Sequence, residues 1–230
     1  MTPDQKKEQE AHPKKVLTDY EGIKNINISN NIKDFNFTIH LIPHSHQDLG
    51  WQLTLSQYYN FKVKYIFKNL WQALSDDPKK TFVMDNIGYL KAYLDDQKNT
   101  KEYPQIIKKL QDWLIEGRVE ITNISISSPD EAITYYKDLL SNIRSGVHWI
   151  NTEILKGLDS DQIQKIKNQN FKNAWYIDAF GHSSTTMKLL SQLGYNSVTW
   201  ARMNTQQLDY RRKNKKLIFD WISETQNKDF

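Results

Sequence analysis

The chain has 230 residues, which is enough for one large α/β domain or for two small ones. Its 31 Lys and Arg residues nearly balance 27 Asp and Glu residues, and the net charge of +4 is too mild for a dedicated nucleic-acid-binding protein. An aromatic content of 12% excludes disorder along the whole chain. The sequence contains no cysteine, so any metal ion must be held by His, Asp, Glu or backbone oxygen.

The two ends of the chain are more polar than the middle. Residues 1–35 are predicted to form a weakly ordered leader, and residues 223–230 a polar tail or a truncation point. Residues 1–15 lack the apolar run that a secretory signal peptide needs. The sequence has no stretch of about 18 apolar residues, so no membrane span is predicted. Residues 36–222 are therefore the predicted folded domain.

Strand and helix patterns alternate along this domain. Strands are predicted at 37–43, 81–84, 118–122, 173–177, 197–200 and 217–221. Helices are predicted at 53–75, 88–96, 104–116, 128–143 and 187–193. This alternation predicts an α/β fold with parallel strands and crossover helices, either a TIM-like barrel or a doubly wound sheet. Five or six strands fall short of a closed barrel. In both folds, functional residues gather just beyond the carboxyl ends of the strands.

The first four residues of the fourth predicted helix have the pattern of a helix start. Ser128 is the predicted cap, Pro129 occupies the first helical position, and Glu131 is the acid of a capping box. Asp130 and Glu131 are therefore interpreted as helix-start residues in preference to catalytic ones.

The first predicted strand is followed by a dense set of potential metal ligands. His46 and Asp48 are separated by one residue at a bend, and they can present a ring nitrogen and a carboxylate to the same ion. Trp51 offers a flat apolar wall that suits a sugar ring. The alternative is a polar turn whose histidines, His44 and His46, cap a helix. The density of the cluster favours a functional site.

A second candidate site follows the strand at 173–177. Asp178 comes directly after this strand, where a carboxylate is typically a ligand, a nucleophile or a base. A helix cap is the other interpretation of Asp178, but Ser183 or Ser184 can fill that role. His182 is a candidate ligand or ligand partner. Arg202, after the fifth predicted strand, can pair with a carboxylate or a substrate hydroxyl, or be a surface arginine.

Together, the stretches 46–51 (HQDLGW) and 175–183 (WYIDAFGHS) resemble glycoside hydrolase family 38, the retaining zinc α-mannosidases. The resemblance runs from about residue 37 to residue 205. The DEA sequence at 130–132 and Arg202 fall where that family has similar residues, and the QYY sequence at 57–59 looks more like the lysosomal branch than the Golgi branch.

This resemblance implies the N-terminal part of a seven-stranded (β/α) barrel and a substrate such as a mannose-containing oligosaccharide or N-glycan. His46, Asp48 and Asp178 would be zinc ligands, and Asp178 would also be the catalytic nucleophile. Trp51, Phe180 and Arg202 would line the mannose subsite. A lysosomal relative would enter the secretory route, although no signal peptide is visible in this sequence.

The sequence also departs from the family pattern. The fourth zinc ligand and the acid/base carboxyl group lie downstream of the matched region in that family and are not found in this chain. Asn86 stands where a family acid is expected, and Ala179 replaces a proline. These departures leave open a truncated or inactive copy. Two further alternatives remain: an amidohydrolase-like metal site that uses His44 and His46, and a non-catalytic barrel fragment.

Overall fold

A computed structural model of the chain describes residues 40–222. The predicted leader, residues 1–35, and the predicted tail, residues 223–230, lie outside the described residues. The described elements belong to one compact unit, which begins at Ile42. No helix within 40–222 is both long and apolar enough to cross a membrane.

The helices are arranged as crossovers between short strands. The first is continuous through three segments: α1 (Leu55–Tyr58), a π-helical segment (Tyr59–Val63) and α2 (Lys64–Asp76). The other elements, in chain order, are β1 (Phe82–Met84), α3 (Gly88–Gln97), α4 (Tyr103–Glu116), β2 (Val119–Ile121), α5 (Tyr136–Trp149), a π-helical segment (Ile150–Ile154), α6 (Ser160–Gln169), β3 (Asn173–Tyr176), α7 (Ser184–Gln192), β4 (Ser197–Trp200) and α8 (Thr205–Lys213).

The strands form two parallel pairs. β1 pairs with β2, with Met84 opposite Ile121, and β3 pairs with β4, with Tyr176 opposite Trp200. His44 forms a further parallel bridge, to Val83, on the other side of β1. Because every pairing is parallel, the carboxyl ends of these segments face the same edge, where residues beyond the strands can meet.

Side-chain hydrogen bonds link the two pairs of strands. The Asn123 carboxamide, two residues beyond β2, donates to the Trp175 carbonyl (2.7 Å) and accepts from the Trp175 amide (3.0 Å). It thus makes with β3 the two hydrogen bonds that a neighbouring strand would make. The amide of Ile121 donates to the Asn170 side chain at 2.8 Å, which adds a second link ahead of β3. The strand order is therefore β1, β2, β3, β4.

Most of the core lies around β1, β2 and the helices α2, α3 and α4. Phe67, Trp71, Tyr93 and Trp113 pack their rings together there. A smaller cluster beside β3 and β4 contains the buried side chains Ala174, Tyr176, Leu190 and Tyr195. α8 buries no residue. Packing is therefore densest on the β1–β2 side.

The structure confirms an α/β fold with parallel strands, at about the predicted positions of the second to fifth strands. The strand predicted at 37–43 lies partly outside the described residues, and within 40–222 this region contributes the bridge at His44. Residues 217–221 form no strand, so that prediction is wrong. α6 and α8 were not predicted. The complete seven-stranded barrel is not seen in residues 40–222.

The predicted helix start at Ser128 is also wrong. Residues 128–130 have no regular secondary structure, residues 131–133 form a turn, and α5 begins only at Tyr136. The Asp130 carboxylate accepts from the amide of Ala132 at 2.7 Å within this turn. The Glu131 carboxylate accepts from the amide of Ser183 at 2.8 Å, 52 residues away. The two acids serve a turn and a tertiary contact, and they do not cap a helix.

Replacing Asn123 with leucine should destabilise the chain. Leucine has nearly the same size but leaves the amide and the carbonyl of Trp175 unpaired in a buried position, which costs about 1–3 kcal/mol per group. Urea unfolding followed by tryptophan fluorescence measures the change. Asn168→Leu, an exposed position on α6, is the matched control and should have little effect. Equal unfolding midpoints for the two variants would contradict the proposed bridging role.

Candidate functional site

Residues from several strand ends enclose a small cavity of about 150 Å³. Its lining residues are His46, Asp48, Asp85, Ser128, Pro129, Asp130, Trp175, Tyr176, Ile177, Asp178, Ala179 and Phe180. They come from the regions beyond the bridge at His44, beyond β1 and beyond β2, and from the end of β3 and the residues that follow it. The cavity therefore lies at the edge that the parallel topology predicts.

The ring of His46 lies between three carboxylates. Its Nε2 atom is 3.2 Å from Oδ1 of Asp48 and 3.3 Å from Oδ2 of Asp178. Its Nδ1 atom is 3.3 Å from Oδ2 of Asp85. Both ring nitrogens therefore have acidic neighbours, and the two nitrogens face different carboxylates.

The surrounding negative charge favours the protonated imidazole. The pKa of His46 is raised to about 9, first because of hydrogen bonding to Asp85 and then because of the charges of Asp48, Asp85 and Asp178. Partial burial opposes this shift. Without a bound cation, the site therefore holds a proton on His46 at neutral pH.

The loop that carries His46 and Asp48 is fixed by α3. The hydroxyl of Tyr89, a buried residue, donates to the backbone carbonyl of Asp48 at 3.0 Å. Leu49 packs on Gly88, where a Cβ atom would lie only 2.4 Å from the leucine side chain and 2.7 Å from the carbonyl oxygen of Ile126. The loop can approach α3 this closely because residue 88 is glycine.

Asp178 is paired with an arginine as well as with His46. The Arg202 Nε atom donates to Oδ1 of Asp178 at 2.7 Å, and the same guanidinium lies over the ring of Phe180, 5.0 Å from its centre. Hydrogen bonding to Arg202 is the largest cause that lowers the pKa of Asp178, and His46 adds to it. Asp178 is thus held ionised, with Oδ1 facing Arg202 and Oδ2 facing His46.

The donor set near Nε2 of His46 fits a divalent metal ion. Within residues 40–222, His46, Asp48 and Asp178 each offer one ligand atom, and these atoms lie within 4.8 Å of one another. Metal–ligand bonds of about 2.1 Å in a tetrahedron place neighbouring ligand atoms roughly 3.4 Å apart. The two nitrogen–oxygen distances of 3.2 Å and 3.3 Å are close to that spacing. One imidazole and two carboxylates are also a donor set that zinc accepts.

Other predicted site residues are placed differently. Trp51 is 75% exposed and does not line the cavity. The ring of His44 packs edge-on against Trp175, with 5.2 Å between ring centres, and is not part of the histidine–carboxylate cluster. The amidohydrolase-like alternative, which needs both His44 and His46 on one ion, is therefore not favoured. The ring of His182 packs against Trp200, and its two nitrogens are buried without a hydrogen-bond partner.

Sequence reasoning missed Asp85. The family acid expected after the second strand was assigned to Asn86, whereas the carboxylate that contacts His46 belongs to Asp85, one residue earlier. The available signal was the position of Asp85 directly after β1, at a strand end where functional residues gather. Which of two adjacent residues faces the cavity depends on strand register, and composition gives no information on register.

Parallel strands joined by crossover helices, with a histidine–carboxylate cluster at the strand ends, define an α/β protein with a site suited to a metal ion. Residues 36–229 match the family described as "Glycosyl hydrolases family 38 N-terminal domain". The chain belongs to this family.

Curated relatives are several times longer than this chain. "Alpha-mannosidase 2" from Spodoptera frugiperda is 32% identical over 190 residues, which make up 83% of this chain and 14% of that protein. "Lysosomal alpha-mannosidase" from Dictyostelium discoideum is 29% identical over 195 residues, 80% of this chain and 17% of that protein. The chain thus spans only a small part of the length of these relatives.

A solved structure supports the fold. The crystal structure of an alpha-mannosidase from Enterococcus faecalis V583 matches with a TM-score of 0.51 and 17% sequence identity. The match covers 69% of this chain and 16% of that chain. At this level of identity, the likeness shows the fold alone.

Replacing Arg202 with glutamine should raise the pKa of Asp178, because the largest cause of its lowering is removed. A carboxyl group whose pKa is lowered by folding stabilises the folded state at pH values above its ordinary pKa of 3.8. This contribution is lost as the pH falls through the folded-state pKa. The variant should therefore lose less stability on acidification than the wild type. Carbon-13 NMR titration of the Asp178 carboxyl group measures the shift. Arg212→Gln, an exposed position on α8, is the control; an unchanged pKa in Arg202→Gln would contradict the pairing.

Proposed function

We propose that residues 36–222 form the N-terminal part of the catalytic domain of a retaining α-mannosidase, which hydrolyses terminal α-mannosyl residues of oligosaccharides or N-glycans. Its strands would belong to a seven-stranded (β/α) barrel. The supporting observation is the cluster of His46, Asp48 and Asp178 at the strand ends. Family membership and the names of the relatives support the choice of mannose.

His46, Asp48 and Asp178 are the residues that would hold a zinc ion. When bound, zinc would supply a Lewis acid that holds two neighbouring hydroxyls of the sugar. Asp48 and Asp178 contribute negative charge, and the neutral imidazole of His46 contributes a nitrogen ligand. Arg202 balances the carboxylates, and with Phe180 it would form one wall of the mannose subsite. Trp51, which is exposed, would contact the sugar from outside the cavity.

Asp178 is the proposed nucleophile. Its carboxylate oxygen attacks the anomeric carbon, and the bond to the leaving oxygen breaks while that oxygen takes a proton from a second carboxyl group. Water then attacks the same carbon, gives its proton to that second group and releases Asp178. Two inversions give net retention. The pairing of Asp178 with Arg202 suits this role, because it keeps the carboxylate ionised before the attack.

The second carboxyl group is expected downstream of the matched region, by resemblance to the family. A general acid typically contributes about 10²–10⁴-fold to the rate. The first step is therefore best tested with a leaving group that needs little protonation. Fluoride is such a group, so a fluorinated mannosyl fluoride should react with Asp178 even where the acid is missing.

The zinc-loaded chain should become covalently labelled by a fluorinated α-mannosyl fluoride. Its second fluorine slows hydrolysis of the intermediate, because it disfavours the positive charge that develops on the sugar ring. Mass spectrometry of the digested protein should locate one added sugar on Asp178. The Asp178→Asn variant should remain unlabelled, since an amide is a poor nucleophile.

Asp209→Asn, an exposed position on α8, is the matched control and should be labelled like the wild type. Label on another residue would contradict the role of Asp178. A folded, zinc-loaded chain that takes no label would support the remaining alternative, a non-catalytic barrel fragment.

A further inference from the structure

The contact between His46 and Asp85 follows from strand register. His44 bridges Val83 in parallel, and the amide of Val83 donates to the Pro43 carbonyl at 2.9 Å. Residues two positions further along neighbouring parallel segments lie side by side on the same face. His46 and Asp85 are each two positions beyond this bridge. The backbone therefore places the imidazole beside the carboxylate before any ligand binds.

Asp85 differs from the other carboxylates in burial and in its partners. Its side chain is 6% exposed, compared with 47% for Asp48 and 37% for Asp178. Its Oδ1 atom accepts from the Asn86 carboxamide at 3.0 Å, and its Oδ2 atom faces Nδ1 of His46. A buried carboxylate is costly unless it is paired, so both contacts help to retain Asp85 in this position.

The two nitrogens of one imidazole have different tasks when a metal is bound. A carboxylate that accepts a proton from one nitrogen fixes the ring orientation and the tautomer, and it makes the other nitrogen a better ligand. In this chain Nδ1 faces the buried carboxylate, and Nε2 faces the two exposed ones. Asp85 is also outside the group of three residues whose ligand atoms converge.

We infer that Asp85 is a positioning residue. Its carboxylate accepts a hydrogen bond from Nδ1–H of His46 and thereby directs Nε2 towards the metal position between Asp48 and Asp178. This inference rests on the proposed function, since it requires that the cluster hold a metal ion.

Zinc binding to the 230-residue chain tests the role. Asp85→Asn keeps the shape of the side chain but removes its negative charge, so zinc affinity should fall by about 10- to 100-fold. Glu120→Gln, a half-buried acid of β2 that does not line the cavity, is the matched control and should bind zinc like the wild type. Asp48→Asn, which removes a proposed ligand, tests the metal site itself. Competition with a chromophoric chelator measures all four affinities.

A second measurement uses the wild type alone, so it does not depend on how well a variant folds. Long-range proton–nitrogen NMR of the zinc-loaded chain should show His46 protonated on Nδ1 and metal-bound through Nε2. The opposite tautomer, or an unchanged affinity in Asp85→Asn while Asp48→Asn binds weakly, would overturn the role of Asp85 and leave the proposed function standing. A wild type that binds no zinc would overturn both.

Discussion

The site depends on parallel strand alignment at one edge of the fold. The bridge between His44 and Val83 brings His46 beside Asp85, and the pairing of β3 with β4 brings Asp178 beside Arg202. Neither contact joins residues close in sequence. Both follow from backbone hydrogen bonds that fix which residues leave the strands side by side. The chemistry of the cavity is therefore a consequence of register.

Charge is distributed so that each acid has a cationic neighbour. His46 separates Asp85 from Asp48 and Asp178, and Arg202 supports Asp178 from the opposite side. Without these cationic neighbours, the three carboxylates would repel one another. The arrangement keeps the nucleophile candidate ionised and leaves a proton on the imidazole that a cation can displace. A divalent cation must displace the proton from Nε2 before this nitrogen can act as a ligand.

The sequence predicted the parts of this structure that depend on local pattern. Four strands lie near their predicted positions, because short apolar runs between turn residues were correctly interpreted, and Asp178 was correctly placed directly beyond the third of them. The helix predicted from Ser128 failed because Glu131 uses its carboxylate for a contact with the amide of Ser183, which no local pattern reveals.

α6 shows a local signal that sequence reasoning overlooked. Asp159 and Gln162 form a reciprocal capping box at its start, yet the polar composition of the helix hid its single buried residue, Ile166. Asp85 could not have been found in this way. Its role depends on the distance between segments almost 40 residues apart, and adjacent Asn86 was an equally good candidate from sequence.

The side-chain link between β2 and β3 has a consequence for motion. The histidine half of the cavity lies beyond the first pair of strands and the Asp178 half beyond the second, while Asn123 holds Trp175 between them. This seam is closed mainly by the side chains of Asn123, Asn170 and Tyr195, and it opens more easily than a full ladder of backbone hydrogen bonds. Local opening at this seam would separate Asp178 from His46 without unfolding either half. Amide exchange at Trp175 therefore reports how much of the time the two halves of the cavity are together.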